Sequence, residues 1–207
     1  MKKGISLSLR RISIVLISLF LVYSCSKDDD VIQEDSFDGS YSTIEQLIGS
    51  SVLDSLVDLG LVINPGAMPP NIEGKYHLSP TILEESSVPG DIIGTPFNDA
   101  ELKFSKQDNI NLTIVFDAEE ALGHEHTGSG GFISGVEDDF SLFLISESSM
   151  DGYIGETVFV ISARRLEDGL TDFQLAFFMV DNGGNPNSIP NGTGRIFVDG
   201  DDFVEKI

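Results

Sequence analysis

The densest group of titratable side chains in the sequence is Asp117, Glu119, Glu120, His124, Glu125 and His126. On an extended segment His124 and His126 project to one side with carboxylates nearby, a donor set that suits zinc or another divalent ion. The spacing is not that of a His-Glu-x-x-His helix, so no metalloprotease follows. The favoured reading is a solvated loop between strands. A second acidic run, Asp199-Gly200-Asp201-Asp202 with Glu205, offers the oxygen donors that calcium takes, but without EF-hand spacing. Asp-Gly between Ile196-Phe197-Val198 and Phe203-Val204 reads instead as a hairpin turn. Glu84-Glu85 and Asp138-Asp139 are pairs of the type that serve as acid and base in glycoside hydrolysis. That mechanism depends on separation across a cleft, which adjacency in sequence does not establish. Ser129 lies in Gly128-Ser129-Gly130 without the strand and helix of a nucleophile elbow, and no phosphate-binding glycine loop occurs.

The elements that must position these groups are mostly strands. Period-two alternation marks Gly74–Ser79, Glu101–Ser105, Asn109–Phe116, Phe132–Val136, Phe140–Ser146, Thr157–Arg164, Phe173–Val180 and Arg195–Asp199. Turn signals separate them at Gly128-Ser129-Gly130-Gly131, Asp151-Gly152, Glu167-Asp168-Gly169 and Asp181-Asn182-Gly183-Gly184. Short strands at this spacing predict a mainly β domain over 72–207, an antiparallel meander closed as a barrel or a sandwich. Several strands are apolar on both faces. In a barrel this means a lined interior cavity; in a sandwich, favoured here, it means an outer face covered by helices. Thr43 to Leu59 supplies such helices, with apolar residues at helical spacing, Ser50 or Ser51 as a cap and Gly60 as a stop. Asn64 to Asn71, with three prolines, closes a segment of 43–71 that is helical and then Pro-rich.

Among 207 residues, 41% are hydrophobic and 14 are Phe, enough for a real core. The net charge is −22; Lys2, Lys3, Arg10 and Arg11 precede Cys25, which leaves 8 basic and 34 acidic groups after it, or −26. Such a field repels phosphate backbones and argues against nucleic acid as a partner. Its plainest role is solubility. A single cysteine excludes an intramolecular disulfide.

A basic start is followed by the apolar run Ile12–Val22 and then by Val22-Tyr23-Ser24-Cys25. The run spans only about half of a bilayer core and fits a signal peptide better than a membrane span. The order resembles the lipobox of bacterial lipoproteins, with Tyr23 bulkier than the family's usual residue. That resemblance implies a signal peptide over 1–24, a diacylglyceryl group on the Cys25 thiol, and cleavage before Cys25. Arg10-Arg11 lacks most of the pattern that flanks a twin-arginine signal, so general secretion is expected. Ser26-Lys27-Asp28-Asp29-Asp30 resembles the surface-export signal of Bacteroidetes lipoproteins and implies the outer membrane, with 25–42 as an acidic flexible tether. Asn71-Ile72-Glu73-Gly74-Lys75-Tyr76-His77-Leu78-Ser79-Pro80 resembles the strand opening of uncharacterised lipoproteins of that group. Gly74-Lys75-Tyr76 faintly resembles the first strand of lipocalins. Neither brings a functional residue.

The sequence thus leads to the expectation of a lipid-anchored envelope protein, a non-catalytic module that meets a glycan, a small apolar ligand or an envelope protein. A carboxylate hydrolase of extracellular polymers is the alternative. No cofactor or metal is expected besides the lipid on Cys25.

Overall fold

The computed structural model describes residues 36–119, 126–150 and 152–207. Cys25, the signal region and most of the tether, together with Glu120, His124 and Glu125, lie outside the described residues. Two short helices, α1 (Tyr41–Ile48) and α2 (Ser50–Asp58), come first. They are followed by strands β1 (Ala67–Met68), β2 (Gly74–Leu78), β3 (Thr81–Ser86), β4 (Ala100–Asp108), β5 (Thr113–Glu119) and β6 (His126–Val136). The chain ends with β7 (Asp139–Met150), β8 (Tyr153–Arg165), β9 (Gly169–Asp181), β10 (Thr193–Asp199) and β11 (Val204–Lys206). No helix among the described residues is long and apolar enough to cross a membrane.

The strands form a closed antiparallel barrel of eight, β2, β4 to β9 and β11. Closure rests on the three-residue β11, which pairs with β2 through Glu205 and Lys206 and with β9 through Val204 and Glu205. β9 is shared at this seam. Its first residues, Gly169 and Leu170, pair with β11, whereas Leu175 to Met179 pair with β10. β10 then leaves the barrel to pair with β3, so the sheet forks beside β9. The turn after Asp199 is present as expected, but it is not a hairpin, because β10 and β11 pair with other strands.

Both readings of the two-faced apolar strands meet in this fold. The alternating Phe140, Leu142 and Leu144 of β7 point into the barrel, with Phe159 and Ile161 of β8 and Phe173 and Leu175 of β9. They form one buried cluster there with Tyr76, Phe104, Phe116 and Phe197. The intervening Phe143, Val158, Val160, Ala176 and Phe178 face outward and are covered by Ile44, Ile48, Val52, Leu53 and Leu56 of the helices. At about 25 cal/mol per Å² of apolar surface, each such burial stabilises the fold by roughly 1.5–3 kcal/mol.

Local chemistry explains where the elements differ from the sequence expectation. α1 is capped by Ser40, whose Oγ accepts from the Thr43 amide. Neither Ser50 nor Ser51 caps α2; both are inside it, and Gly49 with φ 85° makes the bend between the helices. β5 starts at Thr113, not Asn109, because Asp108 folds the chain back by accepting from the amides of Ile110 and Asn111 and from Asn111 Nδ2. Ile110 is consequently 93% exposed. Gly128 to Gly131 is strand, not turn: a Cβ on Gly131 would strike Leu144 and the Phe143 carbonyl, so glycine permits close strand packing there. A stack of backbones forms where Gly39 lies on Gly66 and Gly66 on Gly135. Gly66 N donates to Gly39 O (2.7 Å), Gly135 N donates to Gly66 O (2.9 Å), and a Cβ at any of the three would strike backbone.

Candidate functional site

The fork beside β9 leaves a cleft of about 740 Å³ on the outside of the barrel. Its floor is Ser162 to Arg164 of β8 and Thr171 to Gln174 of β9; Val62 and Asn64 stand on one side, and Glu84, Val198, Asp199 and Asp202 on the other. Asp139 completes it.

The side carrying Val62 and Asn64 is fixed by amides. Asn64 Nδ2 donates to Phe140 O (3.0 Å) and Ser162 Oγ (2.9 Å), and its backbone N donates to Ser141 Oγ (2.9 Å). Gln174 accepts from the Val62 amide (2.8 Å) and donates to Gly60 O (3.1 Å). Each bond contributes about 1 kcal/mol, and together they clamp the chain leaving α2 onto the barrel. Opposite, Thr171 Oγ1 donates to Asp202 O (3.3 Å) and bridges the narrow end of the fork.

Charge in the cleft is strongly negative. Arg164 lies 2.9 Å from Asp139 and 3.9 Å from Asp172, so its one positive charge faces two carboxylates. Asp199 is only 2% exposed. Its two oxygens accept from the Ser79 and Asp201 amides, each at 3.0 Å. Burial, followed by hydrogen bonding with the Asp201 carboxyl, pushes its pKa up to about 6, against the lowering effect of the two amides. These bonds turn Asp199 toward backbone rather than toward a reacting group. Glu84 and Asp202 are exposed and face the cleft. The arrangement can accept hydrogen bonds from hydroxyl or ammonium donors.

The residues singled out in the sequence are scattered over this fold. Asp117 is on β5, 3.3 Å from Lys103. Glu119 ends β5, and His126 begins β6 in register with Ala118. Among the described residues no group of three His, Cys, Asp or Glu is placed to hold a metal. Glu84 and Glu85 share β3, where only Glu84 lines the cleft. Asp138 and Asp139 pair with Arg165 and Arg164 at the β6–β7 turn. Ser129 belongs to β6. Sequence reasoning missed Asn64, Gln174 and Arg164, which come from distant segments and carry no local pattern. No protein-family model, curated protein or solved structure matches the chain.

Proposed function

We propose that this protein is a lipid-anchored, non-catalytic binding module of the envelope, held at the outer membrane through Cys25, with the barrel as scaffold and the outer cleft as the binding surface. The observation that carries the reading is the open cleft beside β9, lined by carboxylates and amides on the outside of the barrel. The polar lining of the cleft suits a glycan or the surface of an envelope protein, because hydroxyl and amine donors find carboxylate and amide acceptors there.

Titration of the full-length protein with soluble envelope polysaccharides, followed by amide chemical shifts, tests the binding reading. Shifts centred on Thr171–Gln174 and Asp202, lost in Asp202→Ala, are expected. Shifts confined to another face, or release of reducing ends from the polymer, would overturn it. The anchor is tested separately: Cys25→Ala should abolish incorporation of labelled fatty acid, and normal incorporation would exclude Cys25 as the lipid site.

A further inference from the structure

We propose that Asp199 is a proton-operated latch on the seam through which the barrel closes. β11 is three residues long and is delivered to its place by the turn at Gly200–Phe203. That turn is tied to the corner between β2 and β3 by two bonds: Ser79 N donates to Asp199, and Gly200 N donates to Pro80 O (2.8 Å). Asp199 also accepts from Asp201 N, so one buried carboxyl joins both connections that frame the seam.

Several carboxyl groups surround it, and the seam itself also holds the exposed His77 of β2, opposite Glu205 of β11. Asp201 lies within hydrogen-bonding reach on the same turn. Asp99, from the link between β3 and β4, accepts from Oγ of the same Ser79 (2.8 Å). Asp202, Glu84 of β3 and Asp172 of β9 line the adjoining cleft. The cation that lines this cleft, Arg164 of β8, is engaged with Asp139 and Asp172. Among the described residues no cation is within ion-pairing distance of Asp199. A proton on Asp199 removes a buried charge and lets the carboxyl donate to Asp201; loss of that proton leaves a carboxylate buried among carboxylates.

The sign follows from linkage. An acid that holds its proton more tightly in the closed form favours closure at low pH, and the advantage fades as pH rises through its folded pKa. The seam is therefore tight in mildly acidic surroundings and looser at neutrality. Loosening would free the edges of β2 and β9 beside the cleft.

Hydrogen exchange of the full-length chain, corrected for intrinsic rates, tests this at the Lys206 and Ile207 amides, which donate to Asp168 O and Lys75 O at 2.9 Å. Their protection, normalised to that of β7 and β8, should fall about tenfold between about pH 5 and about pH 7.5. Asp199→Asn, a neutral mimic, should hold the pH 5 value throughout. Asp201→Asn should move the midpoint toward acid and serves if Asp199→Asn does not fold. Unchanged wild-type protection, the same pH profile in Asp199→Asn, or an Asp199 side-chain carbon that titrates in the ordinary carboxylate range would overturn the latch.

Discussion

The two apolar cores share strands and are built differently. Inside the barrel, seven aromatic residues, Tyr76, Phe104, Phe116, Phe140, Phe159, Phe173 and Phe197, pack among smaller side chains. On the outside, the helices contribute only aliphatic residues, and Phe143 and Phe178 are the aromatics of the buried set. A closed barrel encloses a fixed volume that large rings fill, whereas a helix pair lying on a sheet can settle to fit branched aliphatics. The enclosing strands are hydrogen-bonded around the whole circuit. The outer core is held by two helices of eight and nine residues and the amide clamp behind them. Helices that short owe their stability to packing rather than to propensity. The interior is thus expected to unfold with the whole molecule, and the outer layer to open first.

The sharpest test of that contrast is Phe140→Ala, which should cost about 3–5 kcal/mol and lower the denaturation midpoint of helix and barrel signals together. Leu56→Ala, buried under α2, should cost about 2–4 kcal/mol and should raise hydrogen exchange in α1 and α2 more than in β7. Equal loss of protection in both layers would show that they are one cooperative unit. Arg195→Ala separates the fork from either core. It removes a two-pronged contact to Asp91 (2.6 and 2.8 Å), and the guanidinium is what holds that carboxyl below its usual range. A loss of about 1–3 kcal/mol is expected, since the pair is only partly screened by solvent. The effect should shrink in acid as Asp91 takes up a proton, because a lowered pKa stabilises the fold above the ordinary carboxylate range and not below it.

Smallest is Ser40→Ala, about 1 kcal/mol by thermal denaturation, limited to the outer layer. The same helix start should loosen in strong acid. Hydrogen bonds from Ser40, and then from Thr43, draw Asp38 down to about 2, so its support is complete above the ordinary carboxylate pKa and gone once pH falls through that value. Exchange of the Ser40 and Thr43 amides across the acid range is the measurement.

Much of the barrel was legible because alternation survives wherever one or both faces are buried. The central strands β7, β8 and β9 were found this way, although each runs longer than its apolar centre. β3 and β11 were not, since Ile-Leu-Glu-Glu and Val-Glu-Lys are too short for a period and gain their pairing from neighbours far along the chain. Barrel against sandwich turns on one such strand, so alternation alone left that choice open. The glycines of β6 read as a turn because their signal, small size, also serves close packing. The cleft was less visible still. Its residues run from Val62 to Asp202, and among 34 acids nothing local marks Asp199 as buried.

The glycine stack has a mechanical consequence. The bond between Gly39 and Gly66 closes a loop that contains both helices, and Phe37 just before it packs on Phe132 with ring centroids 5.0 Å apart. Tension entering the described residues from the N-terminal side therefore reaches that closure before α1. The load passes from Gly66 to Gly135 and into β6, where the strand pairings that would have to slide yield together. A pull from that end would strain the barrel wall while the helix pair stays slack.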